Sequence, residues 1–190
     1  MVVVIPIASR LACTYSRLAV NLYLLRHAEA EPGEPDATRR LTRKGEKQVE
    51  NLAAHLHKHE VELDIDEVWH SPLLRAVQTA EILHKELELE APLMEAPGLR
   101  PEDDPRPMAL RLACSRKSVL VVGHNPHFEA LASCLLSGAT NPILIDFKKC
   151  GLLHLERAEE RYDVIPRDSL QQPRRACDVT SESLDGVSIL

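Results

Sequence analysis

Aromatic side chains are scarce in this sequence: two Phe, three Tyr and one Trp make up 3% of its 190 residues. Proteins that bind single-stranded nucleic acids stack the bases on such side chains, so we expect no surface of that kind. The formal net charge of −6 also disfavours polyanionic partners for the chain as a whole, although it allows a local basic pocket. We therefore predict no nucleic-acid partner and no anionic membrane partner.

Paired cysteines and long apolar runs are also missing. The five cysteines are widely spaced and form no C-x-x-C pair. Their odd number indicates reduced cysteines and a cytoplasmic protein, rather than a disulfide framework or a zinc knuckle. No run reaches the roughly 18 apolar residues that a membrane span requires.

A metal site is not expected either. His55, His57 and His59 lie close together in sequence, but no H-E-x-x-H motif and no supporting carboxylate or cysteine accompanies them. The acidic run from Glu102 to Asp104 lacks the glycine and the ligand spacing of a calcium loop. We predict a protein without a metal or another cofactor.

The two ends of the chain differ from its middle. Residues 1–28 contain three arginines and no acid. For residues 1–19 three interpretations stay open: a flexible extension, an organelle-targeting segment, or an extra edge strand. Residues 167–190 are polar with little periodicity, which favours a disordered tail. The length then leaves one domain over residues 20–166.

Short apolar segments alternate with amphipathic helices across this domain. Strands are predicted over residues 21–26, 65–69, 92–94, 119–122, 152–156 and 162–165, the last two as a hairpin. Helices are predicted from the N-cap Thr42 to about His59, from the N-cap Ser71 with Pro72 in the first helical position, and over residues 107–115 and 128–136. This alternation is typical of an α/β fold: a doubly wound, mostly parallel sheet with helices on both faces.

Polar side chains follow three of the predicted strands. Arg26 and His27 end the first, Ser71 and Arg75 follow the second, and His124 follows the strand over 119–122. In open α/β sheets, ligands bind beyond the carboxyl ends of the strands, so these side chains should converge. Together with Arg39, in the loop after the first strand, they offer two imidazoles and three guanidinium groups. Guanidinium groups match phosphate oxygens bidentately, so we predict a phosphate site.

Four segments, in this order, also carry a resemblance to a known family. They are Leu25-Arg26-His27-Ala28-Glu29, then Arg39-Arg40-Leu41-Thr42-Arg43-Lys44-Gly45, then the stretch from Ser71-Pro72 to Thr79-Ala80, and Val121-Val122-Gly123-His124-Asn125-Pro126. With them the chain resembles the histidine phosphatase superfamily, and in particular its short SixA-type phosphohistidine phosphatase branch. The resemblance implies the doubly wound α/β fold expected above.

The resemblance also implies roles for individual residues. His27 matches the nucleophile that accepts the phosphoryl group, while Arg26 and Arg75 match the arginines that hold it. His124 matches the second histidine of the site, and Arg39 a further phosphate-side arginine. Neighbouring guanidinium charges should keep His27 neutral and therefore nucleophilic.

The proton donor for the leaving group is less clearly marked. Glu102, Asp103 and Asp104 are the candidates, and this branch often has a glycine where Glu102 stands. A phosphoramidate needs such a donor less than an ester does, because its imidazole leaving group can carry its own proton.

We therefore expect a metal-independent phosphatase that acts through a phosphohistidine intermediate. The preferred substrate is phosphohistidine on a protein, because the short connections leave no insertion that would close over the site. A small-molecule phosphomonoesterase, acting on a nucleotide or sugar phosphate, and an inactive phosphate-binding module remain as alternatives.

Overall fold

The structure is a computed structural model that describes residues 19–158 and 187–189. Its strands are β1 (Ala19–Arg26), β2 (Glu67–His70), β3 (Leu93–Glu95), β4 (Val119–Gly123), β5 (Leu152–Ala158) and β6 (Val187–Ile189). Its helices are α1 (Arg43–Lys58), α2 (Leu74–Glu86), α3 (Pro105–Cys114) and α4 (His127–Ser137), with a 3₁₀ turn at Asp36–Thr38.

The six strands form one sheet in the order β3-β2-β4-β1-β5-β6. Strands β3, β2, β4 and β1 are mutually parallel, whereas β5 is antiparallel to β1 and β6 is antiparallel to β5. The predicted α/β fold with a mostly parallel sheet is therefore confirmed.

Helices cover both faces of the sheet, and two apolar clusters result. Alternate residues of β1 belong to different clusters: Tyr23 and Leu25 pack with residues of α1 and α2, while Leu24 packs with residues of α3 and α4. Because both faces are buried, residues 22–25 of β1 and 119–122 of β4 are continuously apolar rather than alternating.

The two helices next to the site begin differently. Helix α1 starts as predicted, and the Thr42 hydroxyl accepts a hydrogen bond from the backbone N–H of Gly45 at 2.9 Å. The prediction that Ser71 caps α2 is wrong, because that helix begins at Leu74 and has no side-chain cap. The backbone N–H of Ser71 instead donates to Val122 O at 3.0 Å, so Ser71 continues the pairing of β2 with β4.

The carboxyl-terminal part also differs from expectation. The predicted hairpin partner of β5 over residues 162–165 lies outside the described residues, and β5 pairs with β1 and β6 instead. The prediction that residues 167–190 lack regular structure is wrong for Val187–Ile189, which form β6. The proposed extension at residues 1–19 lies outside the described residues, except that Ala19 begins β1.

Candidate active site

The adjacent strands β1 and β4 bring two histidines together at the carboxyl edge of the sheet. Arg26 is the register partner of Gly123, so the next residues along the two strands, His27 and His124, become neighbours. The backbone N–H of His27 also donates to Gly123 O at 2.9 Å. The two imidazole centroids lie 4.9 Å apart, with their planes inclined at 52°.

A hydrogen bond fixes the tautomer of His27. Its Nδ1 lies 2.7 Å from Ala28 O, and because a carbonyl oxygen only accepts, Nδ1 carries the proton. The lone pair is therefore on Nε2. The backbone N–H of Ala28 donates to the Thr79 hydroxyl at 3.2 Å, and this hydroxyl donates to Arg75 O at 2.7 Å. Helix α2 thus supports the backbone that orients the imidazole.

Both imidazoles are held in the neutral form. Burial, together with the charges of Arg75 and Arg26, outweighs the Ala28 hydrogen bond and lowers the pKa of His27 to about 4. Burial and the neighbouring His27 and Arg75 lower the pKa of His124 to about 2. At neutral pH, His27 is therefore a neutral base and a potential nucleophile.

Arg75 and Arg39 share a single carboxylate. Arg75 is only 4% exposed and donates to the backbone oxygen of Asp36 at 2.9 Å and to its Oδ2 at 3.0 Å. Arg39 donates to Asp36 Oδ1 at 2.8 Å and, through Nε, to Glu31 O at 2.6 Å. Hydrogen bonds from Arg39 and Arg75 hold the pKa of the Asp36 carboxyl below its usual range. Sequence reasoning missed Asp36, which begins the 3₁₀ turn between β1 and α1 and belongs to no recognisable motif.

Arg26 is hydrogen-bonded to a backbone carbonyl that lies 121 residues later in the sequence. Its Nη1 and the Asn125 Nδ2 both donate to Phe147 O. The Phe147 side chain is buried and pairs with Phe128, their ring centroids 5.8 Å apart.

Several buried polar atoms have no hydrogen-bond partner among the described residues. They are Arg26 Nε, Asn125 Oδ1 and both ring nitrogens of His124 and of His127. A buried polar group left unpaired costs about 1–3 kcal/mol. A bound anion that accepts from donors in this set would recover part of that cost.

The carboxylates of the acidic loop before α3 form no salt bridge with Arg26, Arg39 or Arg75. Asp104 caps α3 and pairs with Arg106, which lowers the pKa of the Asp104 carboxyl. Asp103 Oδ2 accepts from the backbone N–H of Arg100 at 2.8 Å, and Glu102 is exposed. Among the predicted residues, His27, His124, Arg26 and Arg75 thus meet at the edge of the sheet, and Arg39 joins them through Asp36.

The buried His127 was also missed. It is 2% exposed at the start of α4; burial lowers its pKa, and the charges of Asp103 and Asp104 oppose that effect. The acidic loop therefore lies near the start of α4. The signal was present in the sequence, because His127 follows His124 by three residues at a strand-to-helix turn.

The described part of the chain contains no group of three or more His, Cys, Asp or Glu side chains arranged to hold a metal ion. None of its helices is both long enough and apolar enough to span a membrane.

Comparison with known proteins places this chain in a family. The histidine phosphatase superfamily (branch 1) matches residues 22–101. An uncharacterized protein of Picosynechococcus sp. (strain ATCC 27264 / PCC 7002 / PR-6) is 32% identical in an alignment of 149 residues that covers 75% of this chain and 88% of that protein. The chain belongs to the histidine phosphatase superfamily, and its activity is that of a phosphatase.

Solved structures indicate the branch of the superfamily to which the chain belongs. The protein histidine phosphatase SixA, complexed with tungstate, is 30% identical and superposes with a TM-score of 0.63 over 72% of this chain and 87% of that one. A mycobacterial glucosyl-3-phosphoglycerate phosphatase in complex with VO3 is 18% identical, with a TM-score of 0.53 over 72% and 90% of the two chains, and shows the shared fold alone. Within the superfamily, this chain is of the SixA type.

Proposed function

We propose that this phosphatase hydrolyses phosphohistidine on other proteins, through a covalent intermediate on its own His27 and without a metal. The observation that carries the proposal is the state of His27. Its Nδ1–H is held by Ala28 O, its Nε2 is unprotonated, and burial beside arginines keeps the ring neutral. An activated histidine nucleophile requires each of these features.

In the first step, the lone pair of His27 Nε2 attacks the phosphorus of the substrate. A new P–N bond forms as the P–N bond to the substrate imidazole breaks, and that imidazole leaves with the electron pair. Arg26 and Arg75 neutralise the charge on the phosphoryl oxygens, and His124 lies beside the transferred group. Positioning and charge neutralisation are what phosphoryl transfer chiefly requires of a protein.

In the second step, water attacks the phosphorus of phosphorylated His27. The P–Nε2 bond breaks, the electron pair returns to Nε2, and inorganic phosphate leaves. Because Nδ1 keeps its proton throughout, the phosphorylated ring is a cation, and neutral imidazole is a good leaving group from it. The hydrogen bond to Ala28 O thus serves both steps.

The lowered pKa of Asp104, one of the candidate proton donors, supports a phosphoramidate substrate. Of the candidate donors Glu102, Asp103 and Asp104, the last has its pKa lowered by Arg106 and is a poor acid at neutral pH. An ester would need a donor for its alkoxide, whereas a protonated phosphohistidine brings its own proton. The assignment of Asp103 or Glu102 as the donor stays a prediction.

A second candidate function is hydrolysis of small phosphomonoesters. It is favoured by a groove of about 450 Å³ whose lining includes Asp104, Arg106, Glu129 and Asn141. Glu129 is near enough to Arg26 for the arginine charge to affect its pKa, so the groove lies near the site. The polar side chains of this groove suit the remainder of a nucleotide or sugar phosphate, and Pro105, Pro126 and Ile143 make much of its other lining apolar.

Trapping of the intermediate tests the mechanism. The protein is mixed with a ³²P-phosphohistidine protein, quenched in alkaline detergent and separated by electrophoresis. We expect the label on the unaltered protein and on the control variant His57→Ala, but not on His27→Ala. Hydrolysis that persists in His27→Ala would contradict the role of His27. Absence of both label and hydrolysis, with the phosphohistidine protein and with small phosphomonoesters alike, would identify an inactive binding module.

Steady-state kinetics test the substrate class. We expect a higher kcat/KM for the phosphohistidine protein than for any nucleotide or sugar phosphate. Asp103→Asn and Asp104→Asn should keep most of the activity on phosphohistidine. A preference for a small phosphomonoester, or a loss in both variants as complete as in His27→Ala, would refute the phosphohistidine assignment.

A further inference from the structure

One face of α1 carries positive charge in a chain whose net charge is −6. Arg43, Lys44 and Lys47 are exposed and, with Gln48 and Asn51, line a shallow groove of about 510 Å³. We call these three cations the basic face. In the described part of the chain, neither Arg43 nor Lys47 forms a salt bridge.

The position of these cations in the helix is unfavourable for stability. Arg43 and Lys44 are the first two residues of α1, at the positive end of the helix dipole. Cations there are typically destabilising by a few tenths of a kcal/mol, and acids are preferred. Residues that break a local rule without a gain in packing are candidates for function.

The basic face adjoins the active site. The side chain of Gln48 accepts a hydrogen bond from the backbone N–H of Glu29 at 2.9 Å, and Glu29 is two residues after His27. Lys44 and Lys149 are far apart in sequence, but both form salt bridges with the Glu29 carboxylate. Their Nζ atoms lie 3.0 and 3.6 Å from Glu29 Oε2. One carboxylate thus faces two lysines, and the positive charge is only partly neutralised.

The acids of α1 lie to one side of this face. The core-facing positions of the helix are Gly45, Val49, Ala53 and Leu56. Successive residues of an α-helix are 100° apart when viewed along its axis. In this view the exposed Glu46 and Glu50 lie between the buried side and Arg43. Lys47, Asn51 and Lys44 lie on the other side of Arg43. The groove side of the helix is therefore free of acids within this segment.

We infer that the basic face of α1 docks an acidic segment that flanks the phosphohistidine of the protein substrate. This inference rests on the proposed function and adds a determinant of substrate choice. In the proposed reaction the site at the end of β1 takes the phosphoryl group, so an anionic partner for the basic face would come from the chain that flanks the phosphohistidine. Complementary charge raises the rate of encounter and suppresses unsuitable partners.

Matched peptides test the inference. Two synthetic peptides carry a central phosphohistidine, flanked on both sides by about four Glu in one and about four Ser in the other. The measured quantity is the ratio of their kcat/KM values at low salt. Complementary charge raises association rates by about tenfold or more at low salt, so we expect at least that preference for the Glu peptide.

The test variant is Arg43→Glu/Lys47→Glu, and the control is Lys85→Glu/Arg116→Glu. Both reverse two exposed cations, but Lys85 near the end of α2 and Arg116 before β4 lie at the opposite edge of the sheet. We expect the test variant to lose the preference for the Glu peptide and to hydrolyse the Ser peptide within about twofold of the unaltered protein. The control should keep the preference. At physiological salt, where the screening length is about 8 Å, the preference for the Glu peptide should become smaller in the unaltered protein and in the control variant.

Three results would overturn the inference. One is an equal preference in the test variant and the control. Another is an equal loss on both peptides in the test variant, which would assign the cations to the phosphoryl pocket instead of a docking surface. Failure of the unaltered protein to hydrolyse either peptide would refute the proposed function itself, and the docking surface with it.

Discussion

The protonation of His27 is the property on which the chemistry depends most directly, and lowering the pH perturbs it. With a pKa of about 4, about 90% of His27 is still neutral at pH 5. An imidazole with the ordinary value of 6.5 would be only about 3% neutral there. The structure therefore predicts about thirty times more neutral imidazole at His27 at pH 5 than an unperturbed histidine would provide.

Two-bond ¹H–¹⁵N correlation spectra of histidine-labelled protein measure this property without a substrate. The His27 signals are assigned by their absence in His27→Asn. We expect a titration midpoint near pH 4 and, above it, the tautomer with the proton on Nδ1. A midpoint at or above pH 6, or a proton on Nε2, would refute the reasoning.

The origin of the shift is tested in the same spectra. Burial is the largest cause of the lowered pKa, and the charge of Arg75 is the largest contribution from a cation. Arg75→Gln should therefore move the midpoint upward by less than half of the way to 6.5. A complete return to that value would show that charge, not burial, controls His27.

Two more predictions concern groups around His27. Unfolded histidine binds a proton near pH 6.5, but folded His124, with its pKa of about 2, does not, so stability falls as the pH drops below 6.5. Between pH 7 and pH 5 this group costs about 2 kcal/mol, and His124→Asn should remove that share of the loss in urea unfolding; an unchanged pH dependence would contradict the burial of a neutral ring. Asp36→Asn removes the one carboxylate shared by Arg39 and Arg75, so the inhibition constant of inorganic phosphate should fall by about tenfold at low salt. Weaker phosphate binding in Asp36→Asn would show that Asp36 acts mainly by holding the two guanidinium groups.

The strands and helices that position the site were largely predictable. Buried parallel strands are apolar runs that end abruptly at polar residues, and this signal located β1, β4 and the histidines that follow them. The error at Ser71 has a physical reason. The sequence Ser-Pro is typical of a helix start, but the backbone N–H of Ser71 bonds to β4, and no local pattern reports a hydrogen bond to a distant strand. The same applies to β6, which pairs with a strand more than thirty residues earlier.

The partners of the arginines were not predictable. Arg75 binds Asp36, 39 residues earlier, and Arg26 binds the carbonyl of Phe147, 121 residues later. A guanidinium group in a motif indicates that an anion or a carbonyl must be near it, but not which one. A backbone carbonyl has no signature at all, because every residue has one.

The anchoring of Arg26 connects a charged group to the apolar core. Its acceptor is the carbonyl of Phe147, whose side chain is buried against Phe128. The Phe128 ring in turn packs against Gly123 so closely that a Cβ on Gly123 would lie 2.5 Å from Phe128 Cε1. Gly123 is also the register partner of Arg26. These four residues form a closed loop of contacts. A substitution of Phe128 or Phe147 by a smaller apolar residue changes no polar side-chain atom. It is nevertheless expected to lower the affinity for phosphate as well as the melting temperature.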